Sequence, residues 1–236
     1  MTRAVLSCLA VLIAAPAAAG SFTPPEGCET FMTVQSKGCR VSNHYICAAD
    51  PKGDQWRTDF DQEGAFFTSR VDYEAQWVES YELDPPVRQT LDPNPADPAS
   101  FSELLATGRD TYIFGLSDDT GERTRVRGSD TLTGRTVVID GIALQETAFN
   151  FTETDLNGKV LRRSRGNEYI SAEWRLFFSG PSQWDGGAGN FVPIDGSDAI
   201  HLPRRTRFRQ HPTAVRLRRR DVVAAVPAQV VRRPVP

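Results

Sequence analysis

Between residues 111 and 179 apolar and polar positions alternate almost without a break. Six runs, 111–116, 123–129, 131–139, 142–154, 159–170 and 174–179, carry the period of two that turns one face of a strand toward a core. Asp118-Asp119-Thr120-Gly121, Asp140-Gly141 and Asp155-Leu156-Asn157-Gly158 separate several of them. Asp-Gly and Asn-Gly supply the positive φ angles of tight hairpins, so these neighbours are antiparallel. None of the connections is long enough for the helical crossover of a parallel sheet.

The first half follows the same rule with more interruptions. Val41, Tyr45 and Cys47 alternate with polar residues, Pro51-Lys52-Gly53-Asp54 makes a turn, and 55–61 is a second strand. Gln62-Glu63-Gly64 turns the chain into a long run, 65–83, with Phe67, Val71 and Trp77 on the buried side. Pro85, Pro86, Pro93, Pro95 and Pro98 mark 84–99 as a proline-rich loop. Ser100 with Glu103 three residues on is a capping box for a short helix over 100–106. Ahead of these, two readings compete over 23–38. Thr23-Pro24-Pro25-Glu26 opens a helix that Gly38 would close, whereas the β-branched and aromatic residues of 30–34 suit a strand turning at Lys37-Gly38. The helix is preferred. The pattern predicts a mainly β fold: an antiparallel meander forming a curved sheet or partly closed barrel, with one or two short helices.

Composition adds a destination. Arg3, the apolar run 4–15 and Ala17-Ala18-Ala19 form a secretory signal peptide, 1–19, with cleavage before Gly20. Cys8 has too little hydrophobic chain ahead of it for a lipid-modified cysteine. The expected location is therefore periplasmic or secreted, with no membrane span after cleavage. The net charge of −3 conceals a split. The body, 20–203, holds 16 basic and 29 acidic residues, while 204–236 holds ten Arg and a single acid, Asp221. An acidic body repels nucleic acid, so no nucleic-acid partner is expected. The tail 204–236 is a basic, disordered segment by composition. It is also what a GC-rich gene yields when read out of frame. Advancing one base with permitted codons turns 200–209 into FIFPGEPGFA and gives Gly-Cys within 216–218.

Two stretches, CRVSNHYIC (39–47) and GNEYISAEWRLFFSG (166–180), resemble an uncharacterised family of exported bacterial β-rich proteins. The architecture is loosely similar to the half-barrel lipoprotein-carrier folds of the bacterial envelope. Neither resemblance shares a functional motif, and neither brings catalytic residues.

Several groups of residues carry side chains suited to chemistry. Cys39, His44 and Cys47 lie close enough for a metal site, but an oxidising compartment favours cystine. Among Cys28, Cys39 and Cys47, either a returning strand or a hairpin about Lys37-Gly38 places Cys28 nearest Cys47, which leaves Cys39 odd. Asp59, Asp61 and Glu63 alternate as in an oxygen-rich calcium loop but lack the spaced ligands of an EF-hand, and a solvated hairpin end explains them. Carboxylate pairs such as Asp72 with Glu74 and Glu79 with Glu82 fit a hydrolase only if they face each other across a cleft. Trp56, Trp77, Trp174 and Phe177 are candidates to line a ligand site, against the plainer reading that they are core. No nucleotide, zinc-protease or nucleophile-elbow motif is present, and no cofactor is expected. The expectation is a non-catalytic periplasmic domain that binds an apolar ligand, such as a lipid, or an envelope protein. The alternatives are a hydrolase with a carboxylate pair and a purely structural envelope protein.

Overall fold

A computed structural model describes residues 22–37, 39–194 and 197–201. The signal segment 1–19 and the basic tail 204–236, with its frameshift reading, lie outside the described residues. The elements run in the order β1 (Cys28–Ser36), β2 (Arg40–Cys47), β3 (Gln55–Phe60), β4 (Ala65–Val71), β5 (Trp77–Leu83), β6 (Pro86–Leu91), α1 (Phe101–Thr107), β7 (Arg109–Asp118), β8 (Arg123–Ile139), β9 (Ile142–Asp155), β10 (Val160–Ser171), β11 (Leu176–Asp185), β12 (Val192–Ile194) and β13 (Ser197–His201).

From β1 to β12 each strand pairs antiparallel with the next, and β13 pairs back onto β1. The sheet is therefore one meander whose two edges are β12 and β13. These edge strands follow one another in the chain. The three residue steps from Ile194 to Ser197 span at most about 11 Å. A sheet of thirteen strands must then curl until its edges nearly meet, although its ladder does not close into a barrel. The right-handed twist of successive strands supplies the sense of that curl.

Four local expectations are corrected. The preferred helix over 23–38 is strand β1, because Met32 and Val34 are buried as the inward members of an alternating run. The long run 65–83 is two strands. Asp72 accepts the backbone N–H groups of Glu74 and Gln76, and Ala75 takes φ 60°, which breaks the ladder and reverses the chain. The proline-rich loop contains β6, with Pro86 at its first position, where a missing N–H is tolerated. The runs 123–129 and 131–139 join as the single bulged strand β8.

The hairpin geometry of β1 and β2 sets Cys28 directly opposite Cys47, and the two form a disulfide. Cys39 remains a free thiol at the turn between these strands. Helix α1 forms as expected: the Ser100 hydroxyl accepts the Glu103 N–H, and Gly108 at φ 83° closes it. Phe101 and Leu104 are buried against Ile170, with Leu132 and Phe177 beside them. Arg175 ties this helix to the two neighbouring turns, donating to Tyr73 O and Ser102 Oγ and pairing with Glu74. The helix is therefore held against the β4–β5 and β10–β11 turns.

Candidate functional site

Strands β2, β3 and β4 and strands β7, β8, β9 and β10 contribute to one cavity of about 250 Å³, which is what a curled sheet encloses when its inner side chains do not fill it. Much of the wall is apolar. Phe114, Leu116 and Val126 form a cluster with Trp77, Tyr112 and Phe151 packed against it, and Phe149 and Phe177 add further rings. One glycine makes room for this arrangement. A Cβ on Gly128 would lie 2.5 Å from the Tyr112 ring and from Asn150 O, so the Tyr112 side chain can cross β8 only because residue 128 has none.

A polar group interrupts the apolar wall. Asp110 on β7 and Asp130 on β8 are direct cross-strand partners, 4% and 6% exposed, and both line the cavity with Glu168 of β10. Burial pushes the Asp110 carboxyl up to about 6. One of its oxygens accepts the Ser100 N–H at 3.1 Å, while the other, Oδ1, is buried without a hydrogen-bond partner. Burial also raises Asp130, with the Asp110 charge as the second cause. Glu168 is raised by burial and then by Asp130, with Arg57 opposing. Tyr112, among these acids, is raised well above the ordinary phenol range, first by burial and then by Asp130, Glu168 and Asp110. The three carboxyls thus share a field in which each ionisation makes the next harder.

The basic groups on the wall have partners of their own. Arg57 Nε lies 3.1 Å from Asp59 Oδ1, Arg162 pairs with Glu153, and Arg175 lies 3.0 Å from Glu74. His44, opposite Arg57 in the ladder, is held neutral. Burial and then the Arg57 charge lower it to about 3.

Of the four aromatic residues singled out in the sequence to line a ligand site, Trp56, Trp77 and Phe177 touch the cavity, as do His44, Val71 and Glu74. The Trp56 ring itself stacks with Tyr45 and Tyr81, and its indole N–H donates to Asp50. Trp174 sits at the β10–β11 turn, where its carbonyl accepts Gln55 Nε2 at 2.8 Å, and its ring packs toward the Met32–Phe178 cluster. The acidic trio is dispersed. Asp59 accepts the Ser42 hydroxyl and pairs with Arg57, Asp61 accepts the N–H groups of Glu63 and Gly64, and Glu63 is exposed. Among the described residues no three His, Cys, Asp or Glu side chains are placed to hold a metal ion. The suspected carboxylate pairs also separate: Asp72 and Glu74 serve a turn, Glu79 is bound by Arg70, Arg88 and Tyr81, and Glu82 is exposed.

Compared with protein-family models, with curated proteins and with solved structures, the chain has no match in any of the three. The site is therefore read from its own geometry. Asp110, Asp130 and Glu168 escape an inspection for motifs, but they leave a trace in the sequence. Each is an acid in phase with apolar residues: Asp110 with Phe114 and Leu116, Asp130 with Val126 and Leu132, Glu168 with Ile170. A charge on the core face of an alternating strand is costly unless it has a role there.

Proposed function

We propose that this chain is a non-catalytic periplasmic or secreted binding domain, and that it encloses a small apolar or amphipathic molecule within its curled sheet. The observation that carries this reading is the cavity wall, where aromatic and aliphatic side chains from both halves of the meander converge on a few polar groups. Concave, largely apolar sites with a few placed polar groups are the usual form of small-molecule pockets. Titration with a neutral, environment-sensitive fluorescent apolar probe tests the proposal. The native chain should saturate with one probe, and Val126→Trp, which fills the cavity, should not. Equal binding by both proteins would place the probe elsewhere and defeat the reading.

The cross-strand pair Asp110 and Asp130 favours a second reading, a hydrolase. Glycoside chemistry needs two carboxyls on either side of the scissile bond, one protonated and one ionised. Here the two are cross-strand neighbours on one wall of the cavity, and Glu168, the other lining carboxyl outside an ion pair among the described residues, lies on β10, two strands along the same sheet from Asp130. That arrangement supports recognition over bond cleavage.

A further inference from the structure

We infer that the polar wall of the cavity is a site for a cationic head group, so that the ligand is an amphipathic amine whose apolar body lies along the aromatic walls. The inference rests on the cavity being a ligand site, and it follows from the charges facing that space. Arg57, Arg162 and Arg175 are each neutralised by a carboxylate, Asp59, Glu153 and Glu74 respectively. His44 carries no charge at neutral pH. After these pairs are set aside, Asp110, Asp130 and Glu168 remain, and among the described residues none of them is in an ion pair, although the Arg57 charge reaches Glu168. Asp110 is 4% exposed and keeps Oδ1 without a donor, so a buried acceptor is left open. An unmet acceptor of this kind costs free energy that an incoming ammonium would restore.

The surroundings suit the same ligand. Tyr112, Phe114 and Phe151 line the same cavity as the acids, and aromatic faces attract a desolvated cation. An anionic head would meet three carboxyls and arginines that are already ion-paired, of which Arg57 keeps a buried Nε–H without a hydrogen-bond acceptor. A neutral hydroxyl could bond to the acids but would gain nothing from their charge. Arrival of a cation also draws protons off the group, because the charged form of each carboxyl then has a counter-ion.

The test compares octylammonium, octan-1-ol and octanoate by isothermal titration at pH 7, in two buffers of different ionisation heat. The native chain should bind octylammonium at least tenfold more tightly than the alcohol and more tightly still than octanoate, with release of protons to the buffer. Asp130→Asn with Glu168→Gln, which keeps the side-chain shapes, should lose the preference for octylammonium over octan-1-ol. Equal affinity for amine and alcohol, a preference for octanoate, or amine binding without proton release would each overturn the inference. If none of the three binds while the neutral fluorescent probe does, the cationic reading fails and the cavity reading stands. If the probe fails as well, both fall.

Discussion

Replacing Asp130 by Asn is expected to stabilise the protein at alkaline pH and to leave it nearly unchanged in acid. Asp130 stands directly across the ladder from Asp110. Cross-strand partners place their Cβ atoms about 5 Å apart, and two charges at that separation in an effective dielectric near 20 repel by roughly 3 kcal/mol. The sign follows from proton binding. The folded chain holds the Asp130 proton over a range in which the unfolded chain has lost it. Stability therefore falls as pH rises from about 4 toward the raised folded value. Asn has no proton to lose. The difference between variant and native chain should grow from about zero near pH 4 to about 3 kcal/mol at pH 8, or roughly 6–12 °C in Tm for a domain of this size. Urea unfolding followed by tryptophan fluorescence at pH 4.5, 6 and 8 measures it. A difference that is the same at pH 4.5 and pH 8, or one that favours the native chain at pH 8, would refute the reasoning.

The acid limb should belong to His44, which stays neutral down to about 3 when folded but titrates near 6.5 when unfolded. Native stability should fall as pH drops from 6.5 toward 3, and His44→Gln should flatten that fall in the same urea series. Arg70 bridges Asp54 and Glu79 beneath the Tyr45–Trp56–Tyr81 stack. Arg70→Ala leaves two carboxylates without that partner and should cost about 3 kcal/mol at pH 7 in urea unfolding, with a smaller loss at pH 4. The Cys28–Cys47 bridge spans a sequence separation of 19. Chain entropy sets the cost of the Cys28→Ser, Cys47→Ser double variant near 3 kcal/mol, which chemical denaturation reads directly.

The meander was legible because its hairpin turns are written in local chemistry. Asp118 to Gly121, Asp140-Gly141 and Asp155 to Gly158 all turn the chain where their residues predict. The pairing of Cys28 with Cys47 was also within reach, since a hairpin about Lys37-Gly38 fixes it by register alone. The first strand was misjudged because capping residues at 23–26 compete with the alternation at 30–34, and burial of Met32 and Val34 settles that contest only once the sheet has curled. The break at 72–76 depends on the Asp72 side chain caping two backbone donors, a short-range bond that hydropathy does not register. The acidic wall was missed for a different reason. Its three members lie on β7, β8 and β10, and what makes them a group is that none is in an ion pair among the described residues, which only the three-dimensional pairing of the wall's arginines reveals.

Native mass spectrometry of protein released from cells without detergent tests the central claim most directly. The native chain should carry a bound small molecule that is lost on denaturation, and Val126→Trp, shown to be folded by its circular dichroism, should fly without it. A bare native chain that also fails to take up an added apolar probe, or an adduct carried equally by the filled variant, would contradict the account.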